Sequence, residues 1–183
     1  RGLKVKEAQD RGAVGVLIYS DPSDDGYMAG AVYPDGPMRP ESAIQRGSVL
    51  FLSHVPGDPS TPGWPSTAGA KRLAREQMTN VPKIPSLPIA YAEAQKILRR
   101  LAGPVVPAEW QGGLPFTYPV GPGGARVAMD VRMDEGLKPI YNVIATIPGS
   151  AEREKKVILG NHRDAWTHGA VDPNSGTAAQ LEV

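Results

Sequence analysis

Glycine and proline set the scale of every element this chain can form. Its 183 residues carry 21 Gly and 19 Pro. They fall between apolar segments instead of gathering into a low-complexity tract, which predicts a loop-rich but folded domain of short helices and strands. No internal repeat accompanies them. The 20 basic and 19 acidic residues are interleaved and leave a formal net charge of +1, so nothing points to nucleic acid or an anionic membrane surface. With no cysteine, a disulfide framework and a thiolate metal site are both excluded. There is no run of 18 apolar residues and no signal peptide, so no membrane segment is expected within the chain. It opens at Arg1 without a Met and ends at Val183 inside what reads as a starting helix, the pattern of a fragment.

Residues 3–11 read as a helix with Leu3, Val5 and Ala8 apolar and Gly12 as its stop. Val14–Tyr19 reads as a buried strand closed by the turn cluster Ser20–Gly26, and helix followed by buried strand is an α/β pattern. From Gly26 to Thr67 turns dominate, and only Ser48–Leu52 has strand character. Ala68–Met78 reads as a short basic helix. Ile84–Ile89 contains two prolines and is therefore an edge or an extended lead-in. Tyr91–Ala102 is the clearest helix, with Ala94, Ile97, Leu98 and Leu101 on one face and Gly103-Pro104 ending it. Arg126–Met133 alternates with the period of a half-buried strand. Pro139–Pro148 and Lys155–Gly160 are two further expected strands, joined through Gly149-Ser150. A domain boundary is placed near Met133 to Lys138.

The chemistry concentrates after the last of these strands. Val157–Leu159 delivers His162-Arg-Asp164 onto a loop, and Asp172 follows in a Pro/Asn/Ser/Gly turn before Thr177-Ala-Ala-Gln-Leu181. Open α/β sheets place their ligands at the carboxyl ends of strands. A neutral imidazole and a carboxylate are good zinc ligands, and a nearby second carboxylate is the usual orienting partner of a ligating histidine. The competing readings are plain ones: a hydrogen-bonded histidine at 162 and a turn former or N-cap at 172. His168 reads as a loop histidine near the site, and His54 has no assigned role. Gly121–Gly124 lacks the Lys-Ser/Thr of a phosphate loop. Asp21–Gly26 lacks the spacing and closing Glu of an EF-hand.

Several dispersed motifs then point in one direction. They include Arg1-Gly-x-Lys-Val-Lys-x-Ala-Gln9, Gly15-Val-Leu-Ile-Tyr-Ser-Asp-Pro22, Gln45-Arg-Gly47 and Gly57-Asp-Pro-x-Thr-Pro-Gly63. Further along come Tyr141-Asn-Val-Ile144, His162-Arg-Asp-x-Trp166 and Asp172-Pro-x-Ser-Gly176. In this order they resemble, over essentially the whole chain, the glutamate carboxypeptidase II family of zinc peptidases (N-acetylated α-linked acidic dipeptidases), a relative of the transferrin receptor.

The resemblance implies an α/β chain. Residues 1–136 would be a protease-associated domain, β-sandwich or barrel-like with flanking helices and truncated at its N-terminus. Residues 137–183 would be the first strands of an α/β/α zinc-peptidase domain, truncated at its C-terminus. It implies two Zn²⁺, with His162 a ligand of one, Asp172 bridging both and Asp164 orienting His162. It implies a structural Ca²⁺ held in part by Thr61 and by the main-chain oxygen of Trp64. Arg1 would bind a substrate carboxylate, and Ser48 stands beside it where acidic-dipeptide members have Asn. The general base and remaining zinc ligands of the family, a Glu-Glu pair, an Asp and a His, lie downstream of this chain, so the fragment alone is expected to be inactive. The implied activity is a di-zinc exopeptidase acting on a peptide substrate and removing its C-terminal, acidic residue. The alternatives are a non-catalytic transferrin-receptor-like binding protein or an aminopeptidase of the same fold. A homodimer is expected, outside the cell or in the secretory lumen, with any membrane anchor upstream.

Overall fold

The computed structural model describes residues 1–183. The chain separates into two compact units, Arg1–Asp134 and Glu135–Val183. The first is mixed α/β, and its elements are as short as the glycine and proline spacing requires.

Helix α1 spans Gly2–Asp10. It stops where Gly12 takes φ +83°, the left-handed conformation that favours glycine. Its inward residue, Val5, is 0% exposed. Strand β1 (Val16–Ile18) pairs in parallel with β2 (Ser86–Pro88), in the register Val16 to Ser86 and Ile18 to Pro88. The ladder is extended by Val16 N–H donating to Pro85 O and Ile89 N–H donating to Ile18 O. Both strands of a two-stranded sheet are edges, so β2 tolerates Pro88 within it and Pro85 just before it. Between them, α2 (Pro22–Asp25) starts with Asp21 as N-cap, whose carboxylate accepts from Ser23 N–H, and Pro22 at the first helical position.

Helix α3 covers Tyr91–Leu98 and buries Tyr91 and Ala94. Tyr91, Leu114 and Tyr118 form the main apolar cluster, with Tyr19, Leu98, Val106 and Phe116 packed around it. The helix ends sooner than its apolar pattern predicts. Ala102–Val105 instead forms β3, antiparallel to β4 (Pro119–Gly121). Gly103, at φ +90°, lies inside β3 at the register irregularity of this ladder. Close approach of the two strands also requires Gly121, where a Cβ would stand 2.5 Å from Ala102 O.

Four expected strands are not formed. Ser48–Leu52, Arg126–Met133, Pro139–Pro148 and Lys155–Gly160 carry no strand pairing. At Phe51 the chain turns instead: the ring is buried, its N–H donates to Asn80 O, and its carbonyl accepts from the His54 and Val55 amides. In the second unit the reason is different. A strand exists only through the hydrogen bonds of a neighbouring strand, and no segment of residues 135–183 supplies them. Ile147 and Val157 are each 94% exposed. The expected first strands of a peptidase sheet are therefore unpaired chain. The expected basic helix at 68–78 reduces to one 3₁₀ turn, Arg75–Gln77. The regular element of the second unit is α4 (Asn174–Leu181).

Candidate metal centre

In the second unit, the loop before α4 gathers the three residues that the sequence singles out. His162 Nε2 lies 2.7 Å from Asp172 Oδ1, and His162 Nδ1 lies 3.1 Å from Asp164 Oδ1 and 3.0 Å from Asp164 O. One carboxylate therefore faces each ring nitrogen. Hydrogen bonding by Asp164 first, and then by Asp172, raises the His162 pKa above its ordinary value. The group is open to solvent: the His162 side chain is 52% exposed and the two carboxylates more so.

This geometry tests whether the residues suit a cation. With Nδ1–H donated to Asp164, a neutral imidazole presents its Nε2 lone pair directly to Asp172 Oδ1. Two lone pairs at 2.7 Å repel unless a positive charge lies between them. At 2.7 Å a shared proton meets that need; a metal ion would need the two atoms to part, since two ligands of a tetrahedral zinc stand about 3.4 Å from each other. The donor types suit zinc, which takes imidazole nitrogen and carboxylate oxygen at about 2.0–2.2 Å each. The pair supplies two ligands only: no set of three or more His, Cys, Asp and Glu converges in a metal-holding group. His168 is exposed and stands outside the pair.

Asn161 holds the loop in place, a role its sequence context did not reveal. Its Nδ2 donates to Pro173 O and to Thr177 Oγ1, both at 2.9 Å. That ties the residue before His162 to the first turn of α4 and to the residue after Asp172. The contact needs glycine at 176, where a Cβ would lie 2.5 Å from Asn161 Oδ1. The available signal was the position of Asn161 beside the histidine.

The first unit carries the other residues of interest. Arg1 lies across Gly47, where a Cβ would stand 3.1 Å from its Nε. Its guanidinium donates to the main-chain and side-chain oxygens of Gln45. Along this stretch Ile44, Arg46 and Ser48 are exposed while Gln45 and Gly47 are half-buried. Ser48 thus faces solvent one residue from the Arg1 contact, and its hydroxyl accepts from Leu50 N–H.

Thr61 and Trp64 sit in a turn organised by Asp58. That carboxylate accepts from Ser60 N–H, the Ser60 and Ser66 hydroxyls and Arg72 Nη1. The Ser66 and Ser60 hydroxyls hold it well below the ordinary carboxylate range. Trp64 Nε1 donates to Lys71 O. Thr61 is 3% exposed, and its Oγ1 is buried with no hydrogen-bond partner. An orphaned buried hydroxyl oxygen is the kind of hard donor that a calcium ion uses.

No family model matches the chain. Among curated proteins it is 40% identical, over its whole length, to a glutamate carboxypeptidase 2 homolog of Caenorhabditis briggsae, covering 25% of that protein. It is 48% identical to a probable glutamate carboxypeptidase of Arthroderma benhamiae and 40% identical to aminopeptidase NAALADL1 of Mus musculus, in each case over all of this chain and 26% of the relative. The chain thus spans about a quarter of the length of the relatives it matches.

Proposed function

We propose, for a chain that belongs to the glutamate carboxypeptidase family and spans about a quarter of its relatives' length, that the complete polypeptide is a di-zinc exopeptidase. Its substrate is a peptide, and it releases the C-terminal, acidic residue. The observation that carries this reading is the facing of His162 Nε2 and Asp172 Oδ1 across 2.7 Å with Asp164 behind the ring. In the loaded enzyme His162 and Asp172 would hold zinc, and Asp164 would fix the ring orientation of His162. The metals supply a Lewis acid and a water of lowered pKa. Residues 1–136 act as a protease-associated domain. There Arg1 meets a substrate carboxylate with a planar, two-donor guanidinium contact, and Ser48 lines the same face. Thr61 Oγ1 and the Trp64 main-chain oxygen contribute to a structural calcium site. With two zinc ligands and no general base, residues 1–183 alone are inactive. The same reading places the enzyme, as a homodimer, outside the cell or in the secretory lumen.

A second reading, an aminopeptidase on the same scaffold, is favoured by one observation: the mouse relative, no less similar than the nematode one, is named an aminopeptidase. Elemental analysis and peptide digestion of the full-length protein test both. Two zincs per chain and cleavage of N-terminally blocked peptides are expected, with Asp172→Ala losing activity and the paired occupancy. Full activity in Asp172→Ala sinks the metal assignment. Cleavage only of peptides with a free amino terminus selects the aminopeptidase.

A further inference from the structure

An arginine that is to bind an anion must be held without being neutralised. Arg1 meets this condition. Its Nη1 donates to the Gln45 main-chain oxygen and its Nη2 to Gln45 Oε1. Both acceptors are uncharged amide oxygens. Of the five guanidinium N–H groups, two are taken and three remain, one on each terminal nitrogen and one on Nε. The carboxylate of this network sits one step away. Asp25 Oδ2 accepts from Gln45 Nε2 at 3.3 Å and from Arg39 Nε at 2.5 Å. Its charge is therefore paired with Arg39, while its bond to Nε2 turns the Gln45 amide so that Oε1 faces Arg1.

We propose that Gln45 is a positioning residue, an uncharged clamp oriented by Asp25 that aims Arg1 at an anionic substrate group and leaves its charge intact. The proposal rests on the reading of Arg1 as a substrate-carboxylate ligand given above. It explains why an amide stands between Arg1 and Asp25. A glutamate at 45 would bind Arg1 more tightly, cancel its charge and place a second anion against Asp25. A merely structural contact would favour that stronger pair; a substrate-binding arginine is disabled by it.

The test compares Gln45→Glu with the unsubstituted full-length protein on two peptides, one ending in a free glutamate carboxylate and its C-terminal amide. The expected result is a KM for the acid raised about 10- to 100-fold, the range for losing a charge-assisted bidentate contact. The kcat and the KM for the amide should change little, so discrimination between acid and amide collapses. Gln45→Leu, which removes the clamp without adding a charge, is expected to raise the same KM about tenfold. An unchanged KM for the acid in both variants, or equal losses on acid and amide, overturns the clamp. Arg1→Met separates the two levels. If it abolishes the preference for the acid while both Gln45 variants keep it, the clamp alone fails. If it leaves the preference intact, or if the unsubstituted protein cleaves neither peptide, the reading of Arg1 fails and the clamp with it.

Discussion

Thr61→Val exchanges a hydroxyl for a methyl group at almost constant shape, at a position where the hydroxyl has nothing to bind. Thr61 is 3% exposed and its Oγ1 is buried without a partner, so the native chain bears the desolvation of that oxygen uncompensated. Such a group costs about 1–3 kcal/mol. In the absence of calcium, the substitution is expected to stabilise the Asp58–Leu73 loop by that amount. The backbone gives no reason for the sign to reverse: Thr61 N–H still donates to Asp58 O, and Trp64 N–H to Thr61 O. Neither bond involves the side chain.

Hydrogen exchange reads this locally. The amides of Thr61, Trp64 and Leu73 are all donors to main-chain oxygens in this loop, and protection reports the free energy of opening them. In chelator, Thr61→Val should slow their exchange about 5- to 150-fold, the rate equivalent of 1–3 kcal/mol. Saturating calcium should narrow that difference in the full-length protein. The native loop gains about 2.7 kcal/mol at a hundred times the dissociation constant, and the variant, having lost a ligand oxygen, gains less. Slower exchange in the native protein than in the variant under chelator would refute the claim of an unsatisfied hydroxyl. An equal calcium response in the two proteins would refute Thr61 as a ligand.

Two further outcomes follow from the first unit. Asp58 is held ionised by the hydroxyls of Ser66 and Ser60 and by Arg72, with its pKa depressed below the ordinary value. Its stabilisation is thus fully present above the unfolded carboxylate value of about 3.9 and is lost as pH falls through the lower folded value. Protection of the 57–73 loop should decline as pH falls below about 4, and Asp58→Asn should remove that dependence. Protection that declines equally in Asp58→Asn assigns the acid response to another group. Val5→Ala deletes two methyl groups from the fully buried face of α1, and should cost about 2 kcal/mol in urea unfolding once the cavity is counted. A cost under about 0.5 kcal/mol would mean that the helix is not anchored there.

How much of this was legible in the sequence depended on whether a feature is local. The stop of α1 at Gly12 was legible because a left-handed residue is a property of one position. The convergence of His162, Asp164 and Asp172 was legible because one loop carries all three. Gln45 and Asn161 were not, since a neutral amide has no chemical signature until its two ends find partners, here Arg1 with Asp25, and Pro173 O with Thr177 Oγ1. Helix α3 was read four residues too long because Leu101 fits the helical stripe. Pairing with Pro119–Gly121, distant in sequence, takes Ala102–Val105 into a strand instead.

The unformed strands carry the same argument to its end. Pro139–Pro148 and Lys155–Gly160 have the β-branched, apolar composition of buried strands, yet Ile140, Val143, Ile144, Ile158 and Leu159 all face solvent. Composition states what a segment needs; a ladder states what it has found. Burial on both faces requires neighbours on both faces, and residues 135–183 contribute a single helix of eight residues, α4. The sequence pattern of this unit therefore asks for partner strands that residues 135–183 do not supply. The His162 loop needs no strand partner, because Asn161 and Gly176 tie it to α4 by contacts contained within residues 161–177. That independence is why the candidate site is assembled here while the segments before it remain unpaired.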